Sequence, residues 1–165
     1  MIKILTLLIA AMLTFGCASS SDSKSEAAPQ ESKAASVLDY GDFSSSTLTT
    51  NAWLALGAGN YELAVQYTEK CAELYEKRAR EMQASMKAKA DFDDVHDYWA
   101  LNDVGTSYFI RGEALAKLGR KEEAIAAFKV VKDDLRYAQA WDPKGWFWSP
   151  ADAAYPKIDV LSGDF

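Results

Sequence analysis

The residues of this chain that could carry covalent or metal chemistry are few and poorly spaced for it. Its single histidine, His96, stands among Asp91, Asp93, Asp94 and Asp97. Imidazole and carboxylates together suggest a metal, but a calcium loop needs a central glycine and a closing glutamate, and a zinc site needs paired histidines or cysteines. Neither spacing is present. Asp93 and Asp94 have a plainer use just ahead of a helix start, where negative charge meets the positive end of the helix dipole. No serine or cysteine near His96 in sequence forms a nucleophile and base motif. Cys71, inside a helical pattern, reads as a packed small residue. The expectation is a protein with no catalytic residues, no metal and no cofactor.

Recognition is the remaining chemistry, and one segment is rich in it. Trp141-Asp142-Pro143-Lys144-Gly145-Trp146-Phe147-Trp148-Ser149-Pro150 holds four large aromatics in eight residues. Such rings stack on sugars or peptides. They equally serve as a lid over the bare apolar side of a terminal helix. Ser149-Pro150-Ala151-Asp152 then reads as a capping box with proline at the first helical position, so a short helix through Tyr155, stopped by Pro156, is expected to pack the segment down. Residues 143–165 are thus expected to form a Trp-rich C-terminal cap, with a ligand platform as the alternative.

The elements that must hold these residues are helices. From Leu63, the apolar or small residues Ala64, Tyr67, Cys71, Leu74, Tyr75, Met82 and Met86 recur at steps of three, four and seven. Charged residues such as Glu69, Lys70, Glu73 and Arg80 take the other faces. A break follows where Asp91, Asp93 and Asp94 crowd together, and helical spacing resumes at Val95. The pattern predicts four helices, over about Ser46–Leu56, Tyr61–Ala88, Val95–Leu118 and Lys121–Gln139. Links as short as Gly57-Ala58-Gly59-Asn60 and Gly119-Arg120 force antiparallel neighbours. No strand signal is visible, so the fold class is all-α.

The chain begins as an exported protein does. Met1-Ile2-Lys3 is a short positive start, Ile4 to Phe15 is apolar apart from Thr6 and Thr14, and Gly16-Cys17 closes the run. It is too short for a membrane-spanning helix of about 20 residues. Ala18 to Ser36 has no aromatic or β-branched residue and no apolar side chain larger than alanine, so it cannot offset the entropy of ordering. It reads as a tether about 25 Å in mean span. The remaining chain is enough for one small domain. The formal net charge of −6 falls by one, to −7, when Lys3 leaves with the leader. An acidic chain without a polybasic face has no footprint for nucleic acid.

Leu13-Thr14-Phe15-Gly16-Cys17 resembles the lipobox of bacterial lipoproteins, with Leu13 four rather than three residues before the cysteine. The resemblance implies a signal peptide over residues 1–16, lipidation of Cys17, and a tether over residues 17–43. Ala18, in place of an aspartate after the cysteine, implies the outer membrane and a periplasmic face. An ordinary export signal cut after Ala18 uses the same small residues.

Internal repetition gives the helix pairs a second resemblance. Tyr108, Gly112, Leu115, Gly119, Ala124 and Phe128 stand at the offsets of the tetratricopeptide motif, with Arg111 in place of a leucine and Arg136 in place of a proline. A weaker copy runs through Leu48, Ala52, Ala55, Gly59, Tyr61, Ala64, Thr68 and Cys71. Gly59 to Gly119 spans 60 residues against a family period of about 34, so the second helix of the first pair and the first helix of the second should be lengthened. The chain is similar to a tetratricopeptide-repeat bacterial lipoprotein, with its helical domain over residues 44–142. The resemblance implies a concave groove lined by Thr49, Trp53 and Leu56 from one helix and by Phe109, Glu113 and Lys117 from another. It implies a non-enzymatic adaptor that binds a peptide or helix of an envelope protein, attached to the membrane through its lipid. A carbohydrate or peptidoglycan binder using the Trp-rich segment is the alternative.

Overall fold

Two glycines in left-handed backbone set the repeat. Gly59 has φ 78° and Gly119 φ 76°, a conformation that glycine enters without a Cβ penalty. At the first, Gly59 N–H donates to Leu56 O and Asn60 N–H to Ala55 O; at the second, Gly119 N–H donates to Ala116 O and Arg120 N–H to Leu115 O. This is the same helix-ending arrangement twice, in which a glycine turn satisfies carbonyls that the helix leaves open.

The computed structural model describes residues 38–163. The turns join α1 (Ser45–Gly57) to α2 (Tyr61–Ser85) and α3 (Trp99–Lys117) to α4 (Lys121–Lys129), giving two antiparallel helix pairs, with a short 3-10 turn at Val95–Tyr98 ahead of α3. α1 opens with Ser44, whose hydroxyl accepts from Thr47 N–H. α2 has 25 residues and α3 has 19, against 13 for α1, so part of the extra length between the repeats lies in these two helices, as expected, and the rest in the link 86–98 between them, which is not α-helical. α3 is central, packing on α1, α2, α4 and α5 (Pro150–Ser162). Every residue from Val104 to Ile110 is buried. The fold is all-α in class, with antiparallel helix pairs and a Trp-bearing C-terminal cap.

Repeat residues fill the second pair as the motif requires. Leu115, Ala124 and Phe128 are buried, and a Cβ built on Gly112 would lie 2.6 Å from the Phe128 ring. Glycine is there because the ring needs that space. In the first pair, Thr68 stands where the second has Phe128, and it is fully buried. Arg111 explains how a polar residue is tolerated there. Its Nη2 donates to Thr68 O at 2.6 Å and its Nε to Thr68 Oγ1 at 3.2 Å, while its guanidinium lies 4.6 Å from the Tyr108 ring centre. The two departures from the motif, Arg111 and Thr68, compensate each other.

Three expectations are corrected. The last helix does not run to Gln139: α4 ends at Lys129 and passes into a π-turn, Val130–Asp134, closed by Leu135 N–H donating to Val130 O. The chain then crosses α3 closely, with Ala138 directly over Gly105 and Val131, Leu135 and Ala138 fully buried. Strands are present: β1 (Ala140–Asp142) and β2 (Trp146–Trp148) form an antiparallel hairpin that pairs Trp141 with Phe147. Its turn is built by Asp142, which accepts from Lys144 N–H through its carboxylate and from Gly145 N–H through its carbonyl. Thirdly, Pro156 does not stop α5. It is exposed and lies inside the helix, where water can take up the carbonyl its missing N–H leaves. The Ser149 cap forms as expected, accepting from Asp152 N–H at 3.2 Å.

The end of the expected tether touches the domain. Tyr67 donates to Asp39 O and Tyr75 to Phe43 O, so residues 39–43 lie on α2. No helix among the described residues is long and apolar enough to cross a membrane. The leader, Cys17 and most of the tether lie outside the described residues.

Candidate functional site

Of the six groove residues expected from the resemblance, four divide between two hollows, and Leu56 and Phe109 line neither. Thr49 and Trp53 of α1 line the first, a cavity of about 400 Å³ bounded also by the start of α3 and by the hairpin. Glu113 and Lys117 of α3 line the second, about 410 Å³, whose other wall is Pro156, Lys157, Val160 and Leu161 of α5. Lys157 pairs with Glu113 at 2.7 Å. Phe109 is only 8% exposed, with the Trp148 ring centre at 5.2 Å and that of Phe128 at 5.7 Å. Leu56 is half-buried and packs against the core.

The Trp-rich segment does two jobs on its two faces. Trp148 turns inward onto Trp53 and Phe109, covering the apolar face of the first helices as a cap does. Trp141 and Phe147 form the opposite pair of the hairpin, and with Phe92 and His96 they make an aromatic cluster with centroid distances of 5.0 to 6.4 Å. Its rings meet edge to face, the electrostatically favoured arrangement. The cluster ties the loop after α2 to the hairpin and leaves Trp141 51% exposed.

Several residues of the first cavity were not legible as site residues. Trp99, Asn102, Asp103 and Thr106 of α3 and Gln139 before β1 all line it. The available signal was a stripe at three and four residue steps, Trp99, Asn102, Asp103 and Thr106, with its polar members in the otherwise apolar first half of the helix before Ser107. Asn102 is held at both ends of its amide: its Nδ2 donates to Val95 O and its Oδ1 accepts from Gln139 N–H. Thr106 donates to Asn102 O, and Thr49 bonds Ser107 and the Asp103 carbonyl. Asp103 accepts from Ser45 Oγ at 2.5 Å through one oxygen. Burial pushes its carboxyl above the usual range, an effect only partly opposed by the Ser45 bond. The cavity lining contains His96 but no lysine or arginine.

Cys71 is fully buried, and burial pushes its thiol up, away from the reactive thiolate. Among the described residues, no group of three histidine, cysteine, aspartate or glutamate side chains is placed to hold a metal ion.

Comparison with known proteins agrees with the geometry of the second pair. Residues 105–129 match the tetratricopeptide repeat, a span that contains Tyr108, Gly112, Leu115, Gly119, Ala124 and Phe128. No curated protein and no solved structure matches the chain. The matched repeat and the two helix pairs support a protein of tetratricopeptide-repeat type, an architecture whose use is engagement of other proteins.

Proposed function

We propose that this protein is a non-enzymatic adaptor, lipid-anchored through Cys17 at the periplasmic face of the outer membrane, that binds a partner protein of the cell envelope. The observation that carries the reading is the aromatic-walled cavity on the side formed by the first helix of each pair, beside a cap that covers Phe109 of that face. The leader and tether support the anchor, and the acidic charge gives no support to a nucleic-acid partner. A photo-reactive residue at Thr50, exposed on the cavity rim, should crosslink a discrete protein in intact cells. The same group at Gln66, exposed on α2 away from the cavity, should not. Equal labelling from both positions, or none from either, would reject the adaptor reading. The Cys17→Ser protein should no longer sediment with membranes.

One observation favours a second reading, a carbohydrate or peptidoglycan binder. Trp141 and Trp146 are about half exposed, with Lys144 over the Trp146 ring, and the exposed ring surface is of the kind that stacks on a sugar. Retention of the protein on isolated peptidoglycan, lost in Trp146→Ala, is the result that would establish it.

A further inference from the structure

We infer that the cavity between α1, the start of α3 and the hairpin receives a basic side chain of the partner protein, with an arginine guanidinium the best fit; this rests on the adaptor reading above. Four carboxylates among the described residues are half-buried: Glu76, Asp103, Glu113 and Asp142. Glu76 and Glu113 have basic partners within the chain, Arg80 and Lys157. Asp103 and Asp142 have none among the described residues. These two sit on adjoining cavities that share Trp53 and Trp141 as their common wall.

The aromatic rings show the same pattern of something missing. In this chain Tyr40, Tyr108, Tyr137, Tyr155 and Trp146 each have a lysine or arginine of the chain over the ring. Among the described residues no such cation lies over Trp53, Trp99 or Trp141, which are 38%, 44% and 51% exposed. Indole faces carry the negative side of the ring quadrupole and attract cations more strongly than the other aromatics do. A guanidinium is planar, stacks on such faces, and bonds a carboxylate at the same time. The half-buried Asp103 carboxylate supplies that acceptor, since only one of its oxygens is used, by Ser45.

The lining selects against the other ligand classes. An anion would meet a carboxylate and no lysine or arginine. A sugar would need several polar groups free for its hydroxyls; Asn102, Thr106 and Thr49 are already committed to the protein's own bonds, which leaves it fewer partners, Thr50, His96 and Gln139 among them. A volume of about 400 Å³ is within the range of sites for small ligand groups.

The test uses the indole N–H signals of the five tryptophans, followed by nuclear magnetic resonance in the full chain held in non-ionic detergent. The probes are N-acetylarginine amide, its neutral analogue N-acetylcitrulline amide, and N-acetylglucosamine. The arginine compound should shift the signals of Trp53, Trp99 and Trp141 in a saturable way and leave that of Trp146 in place, with citrulline and the sugar silent. Asp103→Asn, which keeps an acceptor for Ser45, should weaken the arginine titration by about tenfold or more. Trp99→Leu, at an exposed position, should weaken it as well, so the outcome does not depend on one variant folding. Equal shifts from citrulline, shifts from the sugar alone, or unchanged arginine titrations in both variants would overturn the inference. Position-dependent crosslinking from Thr50 would still stand or fall separately as the test of the adaptor reading.

Discussion

The two helix pairs share one turn and have different interiors. Their turns superimpose bond for bond, from Gly59 to Gly119 and from Asn60 to Arg120, yet the first pair centres on Thr68 and the second on Phe128. In the second, an aromatic ring presses on a residue with no side chain, Gly112. In the first, Ala52 occupies the place of Gly112, and Thr68 the place of the ring. The space is taken by Arg111, reaching across from α3 to Thr68 and lying over Tyr108, whose hydroxyl in turn donates to Glu76 at 2.8 Å. Turn chemistry fixes the repeat, while interior side chains need only fill it consistently. Apolar volume does so in one pair, and satisfied polar bonds do so in the other.

The largest test of that difference is the Phe128 site. Phe128→Ala should cost about 3 to 5 kcal/mol by leaving a cavity. Gly112→Leu alone should cost about 1 to 3 kcal/mol by overpacking, although leucine is the better helix former. If the ring and the missing side chain share one space, the leucine must cost much less in the Phe128→Ala background. Urea unfolding midpoints of the four proteins measure this coupling. Additivity within about 0.5 kcal/mol would mean that the two residues do not share a site.

An intermediate effect is expected in the first pair. Arg111→Leu restores the residue the motif prefers and would stabilise a pair built like the second. Here it removes the donor for Thr68 Oγ1 and the cation over Tyr108, so it should destabilise by about 1 to 3 kcal/mol. Thr68→Val, which keeps shape and leaves the bond from Arg111 to the Thr68 carbonyl, should cost less, about 1 kcal/mol. A stabilising Arg111→Leu would show that the polar interior is incidental.

The helices, their turns and the Gly112 crossing were legible because their causes are local: helical periodicity, a glycine turn, and small residues at fixed offsets. The hairpin was not, since its strands are only three residues each and its aromatics read as a surface or a lid. The turn signal lay in Asp142-Pro143-Lys144-Gly145, where Gly145 takes φ 107°. The early end of α4 was hidden because Val131, Leu135 and Ala138 keep helical spacing while the backbone changes to meet Gly105. Of the candidate site, Thr49 and Trp53 were found from one helix face. Asp103 and Trp99 were missed because their importance comes from α1 and the hairpin closing over them, which is tertiary.

The smallest effect concerns the seam between the pairs, where Asp103 of α3 meets Ser45 of α1. Burial, the larger influence, raises this carboxyl above its unfolded value, and the Ser45 bond lowers it. The sign follows from that direction. A raised carboxyl favours the folded state while protonated, and that contribution is lost as pH rises through its folded value. At neutral pH the ionised Asp103 is therefore a liability to stability. Asp103→Asn keeps the acceptor for Ser45 and removes the charge, so the variant should melt slightly higher than the parent at pH 7. The gap should close as pH falls below about 4, where the parent's carboxyl is protonated in both states. The parent trades that stability for an anionic group within an aromatic wall, as a cation receptor requires. Equal melting temperatures across the whole pH range would mean that Ser45 compensates the buried charge fully, and that the seam is a structural contact of the same kind as the Arg111 to Thr68 bond.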